Sequence, residues 1–194
     1  MVAFIGLGNV GDEFSSTKHN VGFWVVNELA KKMNISFKPG KGDYVYAEEK
    51  NKEIVLAKPT TGMNRSGLAI KQIVEKWNVD LKDLYLVIDD IDLELGTLRI
   101  RPAGGDGCHR GMESVIYQLN SDQFPRIKFG IKASDHRRPA EKYVLRPFRK
   151  EDQDLAEEMV ARTVEAVYSI LNNGINKTMS EYNRIEKTNE VDNG

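Results

Sequence analysis

A single cysteine, Cys108, stands among 194 residues, so no intramolecular disulfide can form and a reduced, cytoplasmic setting is expected. Three histidines leave little material for a metal cluster. No apolar run approaches the roughly 20 residues that span a bilayer. The longest early one, Val2 to Ile5, is also too short for a secretory leader. Neither sign of charge dominates: the formal net charge is −1, which alone gives no reason to expect a polyanionic partner. What remains is ordinary for a globular chain, 40% hydrophobic and 29% charged, at a length that fits one domain with one core.

The charge is sorted along the chain. From Arg99 to Lys150 there are twelve Lys or Arg against five Asp or Glu, a net +7 that leaves −8 for everything else. Such a segment can build a positive face on a nearly neutral protein, which is what a nucleic-acid backbone senses. Scattered solvated cations are the plainer reading, and composition does not choose between them.

Short apolar runs at Val2–Ile5, Ile54–Ala57, Leu84–Ile88 and Ile127–Ile131 read as strands buried on both faces, and Thr97–Arg101 alternates like a half-exposed one. Between them, apolar residues recur at helical spacing in Val21–Met33, Asn64–Trp77, Gly111–Leu119 and Glu151–Asn173. Glu151, Asp152 and Asp154 suit the positive end of the last helix, and Gly174 suits its stop. Strands alternating with helices predict an α/β fold, a single domain with a mixed, mostly parallel central sheet flanked by helices. That domain is expected over 1–185, with a polar, disordered tail over 186–194.

Five stretches carry candidate chemistry. Gly6-Leu7-Gly8-Asn9-Val10-Gly11 matches G-x-G-x-x-G, but no helix opens at Gly11, and Asp12 and Glu13 would repel a pyrophosphate. His19-Asn20 opens the first long helix, where a lone histidine is more often structural. Asp89-Asp90-Ile91-Asp92 follows the Leu84–Ile88 strand, at the sheet edge where ligands gather in open α/β folds. An Asp accepting from one imidazole nitrogen would leave the other as a general base near neutral pH. Solvated turn acids are the plain alternative; a metal site would need a second oxygen cluster or a histidine pair. Asn64, in Lys58-Pro59-Thr60-Thr61-Gly62-Met63-Asn64-Arg65-Ser66-Gly67, is either a helix cap or an amide donor for an oxyanion. Gly104-Gly105-Asp106-Gly107-Cys108-His109-Arg110-Gly111 reads as a gating loop rather than a phosphate cradle, because Asp106 opposes phosphate.

Taken together and in this order, these motifs resemble the bacterial-type peptidyl-tRNA hydrolases. Phe124-Pro125-Arg126-Ile127-Lys128-Phe129-Gly130-Ile131 and Tyr143-Val144-Leu145 with Phe148 extend the match to residues 3–185. The resemblance implies a monomeric, metal-free esterase without cofactors that frees peptides from tRNA. His19 would be the general base, Asp89 its orienting acid, and Asn9 and Asn64 would hold peptide, water and the developing oxyanion. It also assigns Phe14, Met63, His109 and Arg110 to substrate contacts, and Arg99, Arg101, Arg126 and Lys128 to tRNA phosphate. This chain departs from the family pattern at Val10, Phe14, Gly62, Cys108 and Arg110; Arg110 replaces a peptide-contacting asparagine. Those departures keep open a second reading, a catalytically weak or inactive RNA-binding paralogue.

Overall fold

The computed structural model describes residues 1–133 and 139–183, so the expected tail and the cations Arg137 and Arg138 lie outside the described residues. Seven strands make one sheet: β1 (Val2–Gly6), β2 (Lys38–Pro39), β3 (Tyr44–Glu49), β4 (Ile54–Pro59), β5 (Leu84–Glu94), β6 (Leu98–Arg101) and β7 (Arg126–Lys132). Their order is β2-β3-β4-β1-β5-β7-β6. The centre, β4-β1-β5-β7, is parallel, and both edges are closed by antiparallel strands. The sheet is therefore mixed, with a parallel heart.

The parallel centre follows from the sequence. Along β1 successive side chains point to opposite faces. Phe4 joins a core with helices α1 (Val21–Lys32) and α5 (Gln153–Asn173), while Ala3 and Ile5 join a second core with α2 (Ser66–Trp77) and α3 (Arg110–Leu119). A strand buried on both sides must be apolar throughout, which is why these runs were visible. β2 and β3 escaped notice because they are edge strands with polar, partly exposed residues such as Lys38, Glu48 and Glu49.

Two further differences bear on the site. β5 does not end at Ile88 but runs on to Glu94, so Asp89 lies inside the strand, opposite Phe129 of β7. A register shift between Asp90 and Glu94 marks where the pairing loosens. At the other end of the chain, α5 stops at Gly174 as expected. A further helix, α6 (Ile175–Tyr182), starts at once and docks on β6 through Asn183, whose amide exchanges two hydrogen bonds with the Ile100 backbone. A short helix, α4 (Ala140–Val144), completes the set; among the described residues no helix is long and apolar enough to cross a membrane.

The glycines of the first loop have a packing role. A Cβ on Gly6 would sit 2.1 Å from the Gly22 carbonyl oxygen, and one on Gly22 would sit 2.4 Å from the Val87 oxygen. β1, β5 and the start of α1 thus touch backbone to backbone. That contact brings the residues after β1, the 3-10 turn Lys18–Asn20 and the end of β5 to one place.

Candidate active site

A cleft of about 800 Å³ opens at the carboxyl ends of β1, β4 and β5. Asn9, His19, Met63, Asn64, Asp89, His109, Arg110 and Lys128 all line it. Eight of the twelve residues singled out from sequence therefore meet in one cavity, although they span more than a hundred positions.

His19 and Asp89 form the centre. His19 Nδ1 lies 2.7 Å from Asp89 Oδ1. Facing a carboxylate, Nδ1 donates its hydrogen, and Nε2 keeps its lone pair. Asp89 is 4% exposed. Burial alone would raise its carboxyl pKa, but His19 and His109 outweigh it and hold the group well below the usual carboxylate range. Burial likewise pulls His19 down, yet the Asp89 charge and hydrogen bond prevail, leaving its pKa above the ordinary histidine value. The pair is thus a carboxylate that stays charged and an imidazole made more basic.

The asparagines are set differently. Asn9 Oδ1 accepts from the Met63 backbone N–H at 2.8 Å, so the loop after β1 is tied to the loop after β4. With its oxygen turned to Met63, Asn9 has its NH₂ group to offer a ligand. Asn20, buried, holds Asn9 from behind: its Oδ1 accepts from Asn9 N–H at 2.8 Å and its Nδ2 donates to the Asn9 carbonyl at 2.9 Å. In the sequence Asn20 is marked only by its place beside His19, where a small polar amide is the one available signal. Asn64 sits in the 3-10 turn Met63–Arg65, exposed at the cleft. It does not cap α2, whose cap position is Arg65 with no side-chain bond.

Other expectations need correction. Arg126 does not face phosphate. It is 1% exposed. Its guanidinium donates to the carbonyls of Gly104, Gly105, Asp122 and Phe124 and lies over the Phe124 ring. It staples the root of the glycine loop. Phe14 is half-buried in the turn Asp12–Phe14 and is not among the cleft-lining residues. Arg110 lines the cleft, where its guanidinium pairs with Glu141 of α4 at 2.5 Å, a partner that sequence did not suggest. Lys128 lines the cleft but pairs with Asp90 at 2.9 Å.

His109 lines the cleft and has structural contacts as well. It caps α3, its Nδ1 accepting from the N–H groups of Gly111 and Met112 at 3.1 and 3.2 Å. Its Nε2 lies 3.1 Å from Asp89 Oδ1, the same oxygen that His19 uses. The three ligand-type groups His19, Asp89 and His109 lie within 4.8 Å of one another, close enough to suggest a metal. The hydrogens oppose that use. Backbone donors at Nδ1 force the proton of His109 onto Nε2, where it points at Asp89 and leaves no lone pair for an ion.

The basic face survives in reduced form. On the antiparallel pair β6/β7, Arg99 lies opposite Lys128 and Arg101 opposite Arg126. Arg101 is exposed, Arg99 half-buried, and Lys128 joins this strip to the cleft.

A family model described as peptidyl-tRNA hydrolase matches residues 3–191. The chain is 43% identical over 189 residues to the peptidyl-tRNA hydrolase of Thermodesulfovibrio yellowstonii, covering 95% of this chain and 100% of that one. It is 40% identical over 185 residues to that of Alkaliphilus metalliredigens, covering 94% and 100%. The crystal structure of the peptidyl-tRNA hydrolase from Acinetobacter baumannii superposes with a TM-score of 0.87 at 25% identity, covering 94% of each chain. This chain belongs to the peptidyl-tRNA hydrolase family.

Proposed function

We propose that the chain hydrolyses the ester bond between a peptide and tRNA, with His19 as general base. The observation that carries this reading is the 2.7 Å contact between His19 Nδ1 and Asp89 Oδ1 in the wall of the cleft. Asp89 holds the imidazole in the tautomer whose Nε2 is free. A water held there loses a proton to Nε2 as its oxygen attacks the ester carbonyl carbon. The carbonyl oxygen gains charge in the tetrahedral intermediate, and the NH₂ groups of Asn9 and Asn64 are the neutral donors at hand. Collapse breaks the bond to the ribose oxygen, which recovers the proton from His19. The products are a tRNA with its terminal hydroxyl restored and a peptide carboxylic acid, which loses its proton to solvent.

The strip of Arg99, Arg101 and Lys128 beside the cleft suits the phosphates of the tRNA acceptor end. All proposed site residues come from one chain, in keeping with a monomer, and the substrate belongs to translation, in keeping with the cytoplasm. The departures at Val10, Phe14, Gly62 and Arg110 leave the His19–Asp89 pair and both asparagines in place, so they do not favour the inactive RNA-binding alternative.

The test is release of an N-acetylated aminoacyl group from tRNA by the purified protein. Wild-type protein accelerates release, and His19→Ala lowers the rate by about 10²- to 10⁴-fold, the usual contribution of a general base. Wild-type release at the uncatalysed rate removes the enzyme reading.

A further inference from the structure

Asp89 Oδ1 receives two imidazole donors, and only one belongs to the base. The second, His109 Nε2–H, comes from a ring whose own orientation is set by the first turn of α3. The chain of contacts runs from the backbone N–H groups of Gly111 and Met112, to His109 Nδ1, through the ring to Nε2–H, and on to the carboxylate at 3.1 Å. The two imidazoles stand with centroids 5.0 Å apart, tilted at 47°. The His109 side chain is 9% exposed, so most of its ring is in contact with the protein itself.

We infer that His109 is a positioning residue: it holds the Asp89 carboxylate in place for His19 and sets how much of its negative charge the base feels. The inference rests on His19 being the base. A carboxylate oxygen shared between two donors is a weaker acceptor for each than one serving a single donor. His109 therefore tempers Asp89. Without the second donor, the carboxylate acts on His19 alone, and the base becomes harder to deprotonate.

Most of the other charged groups near the cleft are engaged elsewhere. Asp90 pairs with Lys128, and Glu141 with Arg110. Lys18, the neighbour of His19, directs its Nζ to the Arg146 and Pro147 carbonyls and lies over the Tyr143 ring. Asp106 accepts from the Cys108 N–H. Glu113, on α3, also lines the cleft, and Lys142 lies on α4 beside Glu141. None of these makes a hydrogen bond or ion pair to His19 or Asp89 among the described residues.

Two variants separate positioning from helix capping. His109→Asn keeps a good cap, because a short amide oxygen still accepts from the α3 backbone, but it cannot reach Asp89. His109→Gln reaches as far as Nε2 does and can still donate to Asp89, while capping poorly. The readouts are thermal melting, the ring titration of His19 followed by NMR, and the pH dependence of kcat/KM for N-acetyl-aminoacyl-tRNA. In His109→Asn we expect melting near wild type, with the His19 titration and the acid limb of kcat/KM both displaced upward by roughly half a pH unit, the equivalent of one modest hydrogen bond. In His109→Gln we expect a lower melting temperature and a His19 titration near wild type. An unmoved or downward-moved His19 titration in His109→Asn overturns the inference. Full activity in His19→Ala, together with the displaced His19 titration in His109→Asn, overturns instead the assignment of His19 as base and leaves the positioning contact standing.

Discussion

The cleft and the basic strip beside it were read from the same sequence, and they fared differently. His19, Asp89, Asn9 and Asn64 all line the cleft, Asp89 from within β5 and the other three from the loops and turns that follow β1 and β4. Of the four cations assigned to tRNA, Arg126 is wholly buried and Lys128 already holds a carboxylate. The difference is one of side-chain length. An Asp or Asn reaches only a few ångströms from its backbone, so topology settles its surroundings. An Arg or Lys has four or more rotatable bonds and goes to whichever partner the folded chain offers. In Arg126 that partner is a set of four carbonyls around the glycine loop.

The sharpest way to break this contrast is at Arg126. Arg126→Ala leaves those buried carbonyls without their donor, so it is expected to destabilise the fold by about 2–4 kcal/mol. The salt dependence of tRNA binding should stay as it is. A variant that melts like wild type but binds with a shallower salt slope would return Arg126 to the phosphate-contacting group. Arg101 is the converse case, exposed on the edge strand β6. Arg101→Ala should leave melting unchanged and reduce the slope of log K against log salt by about one. Lys128→Ala is expected to lower the slope by less, because Asp90 already neutralises much of that charge.

The smallest effect is expected at Arg110. Its pair with Glu141 is exposed, and such pairs contribute little to folding. Arg110→Asn should therefore leave the melting temperature alone and raise kcat/KM by at most about fivefold, the equivalent of one modest hydrogen bond to the peptide. No change in kcat or KM would show that the arginine is neutral at this position.

Legibility in the sequence followed burial. The parallel strands β1, β4 and β7 were recognisable because burial on both faces fills their centres with apolar residues, even though Lys128 and Gly130 interrupt the run in β7. β2 and β3 were missed because edge strands obey no such demand, and β5 was cut short because Asp89 and Asp90 look like a turn. Asp89 tolerates a place inside the strand only because two histidines share its charge. Those contacts join residues 20 and 70 positions apart, so no local pattern announces them. Likewise the glycine loop was visible as a loop, but the arginine that staples it lies on another strand.

The central claim is that Asp89 makes His19 the base, and the pH dependence of kcat/KM for N-acetyl-aminoacyl-tRNA in wild type and Asp89→Asn tests it most directly. Only the neutral imidazole can take a proton from water. A raised His19 pKa therefore places the acid limb of the wild-type profile above the ordinary histidine value of about 6.5, with activity lost as pH falls through it. Asn removes the charge that raises His19 while burial continues to lower it, so Asp89→Asn should combine a lower plateau rate with an acid limb displaced to lower pH. An acid limb that stays in place in Asp89→Asn, or a wild-type profile flat between pH 5 and 8, would contradict the account.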